Sequence, residues 1–443
     1  MEAETPDTRV KTLGECAVPS PFLQFDPERK YLNKVFVDDR NRVLHNGTVY
    51  LAEGNPAPQP CGTGQLTFEQ GGPREKIFFR PEEVRAGIVT CGGLCPGLNN
   101  VIFAVTSALW HNYGVRNITG FRYGYAGMVE HSGYAPQHLT PDLVDGWQQV
   151  GGTQLGSSRG NQDPIEIVDY LQKLGINLLF TVGGDGTMKG ALAIAREVEL
   201  RGLKMAVIGI PKTIDNDILY LDETFGYRSA VERGAEAIVC AHAESKGCPN
   251  GIGLVKLMGR DSGFIACQAA LATGLANFVL IPELPINLDK FIEVLKARLV
   301  KRQHAVIVVA EGAGQDILNT SRENRDASGN VVFGDIGAYL KKYIGDRFKA
   351  ENFPHSIKYI DPSYIVRSVP ANAQDAVYCL QLGQDAVHAA MAGKTEMLLG
   401  RINGKMCHVP MPMVTGGRKK VDPFGVIWRM VLQNTGQGDI FRD

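Results

Sequence analysis

Three times in this chain a short apolar run ends abruptly in a turn of glycines or polar residues, and that recurrence restricts the fold more than any other feature. The first unit is a strand over Ala86 to Thr90, the turn residues Gly92, Gly93, Pro96 and Gly97, and a helix from about Asn99 through Ala108. The second is a strand over Leu178 to Val182, then Gly183-Gly184-Asp185-Gly186-Thr187, then a helix over Gly190 to Glu199. The third is a strand over Met205 to Ile210 followed by Pro211-Lys212-Thr213-Ile214-Asp215-Asn216-Asp217. Strands that alternate with helices predict an α/β fold with parallel-rich sheets, and ligands of such sheets bind beyond the carboxyl ends of the strands.

A second group follows. Strands are expected at Ile252 to Leu257, Phe278 to Ile281 and Ala305 to Val309, and helices at Leu288 to Val300 and Asp335 to Ala350. Polar turns interrupt them at Met258-Gly259-Arg260 and Glu311-Gly312-Ala313-Gly314, and Asn319 to Asp326 and Gly329 to Asp335 read as a polar loop. Residues 1 to 84 are punctuated by Pro56, Pro58, Pro60, Gly62 and Gly64 and read as an N-terminal extension. The division expected is therefore 1–84, a first lobe over 85–226 completed by 371–420, and a second over 227–370 completed by 421–443. No period suggests a repeat array.

Composition removes several function classes. The 443 residues carry 46 Lys and Arg against 47 Asp and Glu, so no global field points to nucleic acid or an anionic membrane. No stretch reaches about 18 consecutive apolar residues, and Glu2, Glu4 and Asp7 at the N-terminus precede no apolar run. The nine cysteines are scattered, and the spacing of Cys91 and Cys95 has no downstream ligand pair, which argues against zinc and for free thiols in the cytoplasm. His-Glu-x-x-His, a Gly-x-Ser-x-Gly elbow in a strand-to-helix turn, the Walker lysine loop and Gly-x-Gly-x-x-Gly followed by a strand-end acid are all absent.

The turns themselves suggest phosphate chemistry. Gly92-Gly93 and Gly183-Gly184 let backbone amides approach phosphate oxygens at a helix N-terminus, although double glycines also simply make tight turns. Asp185 beside such a cradle would repel an anion unless magnesium lay between them; its other reading is a helix N-cap. Thr213, Asp215 and Asp217 alternate, so they share a side if the strand continues through them, and one carboxylate can then accept a hydroxyl proton; the other reading is an acidic surface turn. Arg159, Arg260, Lys358 and Arg367 are candidate counter-charges that spacing alone does not single out from solvated surface groups.

Together, Gly183 to Thr187, Thr213 to Asp217 and Met258-Gly259-Arg260 resemble the 6-phosphofructokinase family, from about Pro73 to at least Pro410. Val89 to Leu98, reading VTCGGLCPGL, is most similar to the plant-type and trypanosomatid branch of ATP-dependent enzymes. NAD kinases and diacylglycerol kinases share only the Gly-Gly-Asp-Gly-Thr turn, and a non-catalytic regulatory subunit would usually have lost a reactive group.

The resemblance implies two Rossmann-like lobes with ATP and fructose 6-phosphate in a cleft between them, and magnesium at Asp185. Asp215 would be the base for the sugar 1-hydroxyl, with Thr213 and Asp217 lining the site and Arg159 on the transferred phosphoryl group. Gly92, Gly93, Tyr125, Gly184, Gly186, Thr187 and Lys212 would line the donor side. Met258, Gly259, Arg260 and Glu311 would hold the sugar, and Lys358, Tyr364 and Arg367 its 6-phosphate. Gly186 is the ATP-like choice, whereas pyrophosphate-using relatives usually place an aspartate there; Lys212 is the pyrophosphate-like choice. ATP is favoured because the plant and trypanosomatid enzymes combine both, and a pyrophosphate-dependent phosphotransferase is the alternative. Family precedent implies a homotetramer. Asn250-Gly251-Ile252-Gly253 replaces the segment in which bacterial enzymes carry an arginine that reaches a neighbouring subunit's site, so that contact does not carry over.

Overall fold

The computed structural model describes residues 6–24, 35–50, 59–60, 66–160, 162–318 and 331–442. Pro56, Pro58, Gly62 and Gly64, the loop Asn319–Asp326 and the first two residues of Gly329–Asp335 lie outside them. The chain forms two compact units. One comprises residues 1–213, 218–225 and 370–418; the other comprises 214–217, 226–369 and 419–443.

The first unit is built on a nine-stranded sheet. Its strands are β1 (Arg42–Leu44), β2 (Thr67–Gln70), β3 (Arg85–Thr90), β4 (Asn117–Phe121), β5 (Gln137–His138), β6 (Leu178–Gly183), β7 (Ala206–Pro211), β12 (Met397–Ile402) and β13 (Lys405–Pro410), in the order β5-β4-β3-β6-β7-β12-β13-β2-β1. Strands β4, β3, β6, β7 and β12 are parallel. Every residue of β6 and β7 is buried, which accounts for their nearly unbroken apolar sequence: a parallel strand covered on both faces has no reason to alternate. Helices α2 (Pro164–Lys173) and α3 (Asp185–Leu200) close one core against Val89, Phe121, Leu179 and Val207. Helices α1 (Leu98–Ser107) and α8 (Ala373–Met391) pack on each other, and α8 reaches β6, β7, β12 and β13.

Beyond β7 the sheet departs from the simple extension-plus-lobe reading. Strands β12 and β13 form a hairpin whose two linking residues, Asn403 (φ 48°) and Gly404 (φ 75°), are both left-handed, the geometry that matches the twist of the flanking strands. Strand β13 then pairs antiparallel with β2, and β2 with β1. Parts of residues 1–84 are thus integral to the sheet. The join is a buried charge cluster in which Glu69 Oε1 accepts hydrogen bonds or ion pairs from Arg74 (2.9 Å), Lys394 (3.0 Å) and His408 Nδ1 (2.9 Å). Burial alone would raise the Glu69 pKa, but the bond from His408 and the charge of Lys394 hold it at about 2.

The second unit has a four-stranded sheet, wholly parallel, in the order β9-β10-β8-β11: β8 (Gly251–Leu257), β9 (Phe278–Leu280), β10 (His304–Ala310) and β11 (Ser356–Ile360). Helix α4 (Tyr227–Lys246) packs on β8, β10 and β11, and α5 (Phe264–Thr273) on α4. Helices α6 (Leu288–Arg302) and α7 (Ile336–Ala350) begin at side-chain caps: Asn287 accepts from the Lys290 amide and Asp335 from the Ala338 amide. Asp335 is therefore the cap of its helix and not its first turn. Helix α9 (Val426–Thr435) packs against α5.

Candidate active site

In each unit the parallel strands open their carboxyl ends on one edge, and the candidate residues follow those ends. In the first unit, Gly92 and Gly93 follow β3, the turn Gly124–Met128 with Tyr125 follows β4, Gly184 to Thr187 follows β6 and Lys212 follows β7. Lys212 ties three of these turns together. Its amide donates to the Gly183 carbonyl (2.8 Å) and its ammonium to the Gly93 carbonyl (2.6 Å).

The β3 turn is also pinned to the loop that carries Arg159. The Gly92 amide donates to the Ser158 carbonyl (3.1 Å) and the Ser157 hydroxyl to the Gly92 carbonyl (2.6 Å), while Thr90 Oγ1 donates to the Gly156 carbonyl (2.8 Å). The Gly92 amide, expected to face a phosphate, is thus engaged within the protein. Arg159 is exposed. Ser157 was not legible as a site residue, because a serine in a Gly-Ser-Ser loop shows its partner only in three dimensions.

At the β6 turn, Gly184 is the N-cap of α3 and Asp185 its first residue, so the N-cap reading of Asp185 is replaced. The Asp185 carboxylate pairs with Lys189 one turn on at 2.9 Å, a largely exposed i,i+4 pair that yields at little cost. A side chain at Gly183 would meet Thr187 Oγ1 at 2.1 Å, whereas one at Gly186 would meet nothing within 4 Å. Gly183 is required by close packing; Gly186 leaves open space. Tyr125 lies in the core, its hydroxyl donating to the Thr187 carbonyl (2.8 Å). Its position is that of a support for the first turn of α3.

The segment after β7 corrects one expectation. The strand ends at Pro211 and is followed by bends at Ile214 and Asp215, and Asn216 is left-handed at φ 55°. Thr213, Asp215 and Asp217 therefore do not alternate along a continued strand. Thr213 closes its stretch of the first unit, its carbonyl accepting from Thr224 Oγ1 (2.7 Å), while Asp215 and Asp217 belong to the second.

In the second unit, Met258 to Arg260 follows β8, Glu311 follows β10 and Tyr364 comes four residues after β11. Arg260 is left-handed (φ 46°), and its amide donates to Glu311 Oε1 (3.1 Å). Burial raises the Glu311 pKa, opposed by that amide and by the Arg260 charge. A side chain at Gly312 would meet the Arg260 carbonyl at 1.8 Å, so the two turns are in direct contact. Ser262 Oγ donates to the carbonyls of Asp215 (2.9 Å) and Gly259 (3.0 Å), joining the acidic segment to the Met-Gly-Arg turn. Lys358 is exposed on the edge strand β11; Tyr364 is exposed and carries the Arg367 guanidinium 4.7 Å above its ring. Glu283, which takes the amides of Gly263 (3.0 Å) and Val421 (2.8 Å), and Lys419 were missed because their partners are distant in sequence.

Among the described residues no group of three or more His, Cys, Asp or Glu side chains could hold a metal ion, and no helix is long and apolar enough to cross a membrane. A family model described as Phosphofructokinase matches residues 85–390, more than half of the chain. The chain belongs to the phosphofructokinase family. An ATP-dependent 6-phosphofructokinase of Borreliella burgdorferi is 47% identical over 99% of this chain and 98% of its own length. A chloroplastic ATP-dependent 6-phosphofructokinase of Arabidopsis thaliana is 44% identical over 91% of this chain and 76% of its own. Among solved structures, the pyrophosphate-dependent phosphofructokinase of Marinobacter aquaeolei superposes with a TM-score of 0.66 at 20% identity, covering 81% of this chain and 93% of that one. That likeness establishes the phosphofructokinase fold and not the phosphoryl donor.

Proposed function

We propose that this chain transfers the terminal phosphoryl group of ATP to the 1-hydroxyl of fructose 6-phosphate, giving fructose 1,6-bisphosphate and ADP, a step of glycolysis. Asp215 takes the hydroxyl proton as the oxygen attacks, with Thr213 and Asp217 beside it, and Arg159 balances charge on the transferred group. Gly92, Gly93, Gly184, Gly186, Thr187 and Lys212 line the donor side, and Tyr125 supports it from beneath. Met258, Gly259, Arg260 and Glu311 hold the sugar; Lys358, Tyr364 and Arg367 hold its 6-phosphate. The protein positions and neutralises, and forms no covalent intermediate.

Magnesium fits a single protein carboxylate when the donor's phosphate oxygens and water complete its shell, and Asp185, paired among the described residues with the exposed Lys189, suits that arrangement. When bound, the ion neutralises charge across the donor's oxygens.

The observation that carries the ATP reading is Gly186, exposed at the start of α3 with open space where a side chain would stand. Lys212, the residue that favours pyrophosphate, has its ammonium committed to the Gly93 carbonyl. The test is magnesium-dependent product formation from fructose 6-phosphate with ATP or pyrophosphate. Turnover with ATP alone is expected; turnover with pyrophosphate alone overturns the donor assignment. We further place the enzyme in the cytoplasm, which accords with eight described cysteines that are all unbridged, and infer a homotetramer from its family; gel filtration with light scattering tests the assembly.

A further inference from the structure

A left-handed residue between two carboxylates needs something to hold it. Asn216 is buried at φ 55° between Asp215 and Asp217, a conformation that costs energy for any residue with a Cβ and that redirects the chain. Lys419 grips this segment twice. Its ammonium donates to Asn216 Oδ1 (3.2 Å) and its amide to the Asp217 carbonyl (2.8 Å).

Lys419 is in turn fixed to the turn that faces the acidic segment. The ammonium lies 5.2 Å above the ring of Phe264, the first residue of α5. Two residues on, Val421 donates to Glu283, which also takes the Gly263 amide. Ser262, between the Met-Gly-Arg turn and Gly263, donates to the Asp215 carbonyl. The stretch from Lys419 to Val421 therefore closes a ring of contacts around Asp215, all within one compact unit.

We propose that Lys419 is a positioning residue for the reaction, holding the left-handed Asn216 and through it the direction in which Asp215 presents its carboxylate; the proposal rests on the reading of Asp215 as the base. An error of about 1 Å in the placement of a reacting group costs about a hundredfold in rate. Lys419 acts without touching substrate, so its loss lowers kcat more than it raises KM.

The experiment measures steady-state kinetics with ATP and fructose 6-phosphate, and urea midpoints, for Lys419→Met, Lys419→Arg, Asn216→Gly and the Lys419→Met/Asn216→Gly double variant. Glycine keeps the left-handed path and removes the acceptor. The expected result is a kcat loss of about 10- to 100-fold in Lys419→Met and in Asn216→Gly, with both KM values within about threefold of wild type. Lys419→Arg recovers most of the loss, and the double variant is no worse than the worse single one, because both remove the same contact. Wild-type kcat in either single variant overturns the proposal, as do losses that add in full or that arginine leaves unrepaired. Should Lys419→Met fold poorly, Asn216→Gly and Lys419→Arg decide alone. Asp215→Asn separates the two readings. If it is inactive beside a wild-type-like Lys419→Met, only the positioning role falls; if it is fully active, the base assignment falls first.

Discussion

The two sheet edges are built from different materials. At the nine-stranded edge the turns are rich in glycine, with Gly92, Gly93, Gly183, Gly184 and Gly186, and the Lys212 ammonium rests on a carbonyl. At the four-stranded edge side chains dominate. Glu311 and Glu283 accept main-chain amides, and Asn216 and Arg260 take left-handed conformations that glycine would adopt more cheaply. The difference teaches that glycine lets the main chain set the path of a turn, while a turn without it relies on side chains to hold its amides and its left-handed residues in place.

The sharpest way to break this comparison is at the acidic segment. Asp215→Asn, assayed with ATP and fructose 6-phosphate, should lose about 10²- to 10⁴-fold in kcat, the usual worth of a general base; an active variant would move the chemistry elsewhere.

Next in size is Gly186→Asp. The open space around it means that the new carboxylate meets no protein, and on the proposed donor side it would face phosphate. Repulsion of about 1 to 4 kcal/mol at roughly 4 Å predicts a fall in kcat/KM for ATP of between about fivefold and a thousandfold, with the urea midpoint unmoved. If ATP use is untouched, the donor surface is not where Gly186 lies.

The same turn yields a stability contrast. Gly183→Ala places a methyl 2.1 Å from Thr187 Oγ1 and should cost about 1–3 kcal/mol of unfolding free energy, while Gly186→Ala should stay within about 0.5 kcal/mol of wild type. Equal effects would mean that the turn relaxes and the packing argument is wrong.

The smallest effects are in pH dependence, where the two units have opposite signs. Glu69 in the first has a depressed folded pKa of about 2 against an ordinary 4.5, so its contribution is present above pH 4.5 and is lost as pH falls towards 2. Glu311 in the second has a raised folded pKa, so stability is lost as pH rises from 4.5 through its folded value. Urea midpoints at about pH 3, 5 and 8 should show Glu69→Gln flattening the acid side of the profile and Glu311→Gln the neutral side. Matching slopes in the two variants would contradict the assignment.

Much of this was legible in the residues. The six strands expected from the residues, β3, β6, β7, β8, β9 and β10, each end within one residue of their expected places, because an apolar run of four to six residues stopped by a glycine, proline or polar turn has few other readings; the remaining strands of the two sheets were not anticipated. The α3 start was placed late, at Gly190 and not Asp185, since Gly186 and Gly190 look like breakers when the packing that tolerates them is unseen. The Asn403-Gly404 hairpin was visible in principle: the pair lies between two apolar runs and is a strong two-residue turn signal. Strand β2 was not visible, because its partner His408 is 339 positions away.

What the sequence by itself determined is the residue types available at each turn: glycines at the ends of β3 and β6, carboxylates at Asp185, Asp215, Asp217 and Glu311, and apolar runs of strand length before them. These are local facts of residue type and spacing. Only the tertiary structure decided which carbonyl holds Lys212, that Asn216 turns left-handed and ends the strand alternation, and that Lys419 and Val421 return from the far end of the chain to brace that turn. Those contacts join residues as much as 203 positions apart, and no local pattern encodes a pairing that exists only once the sheets have packed.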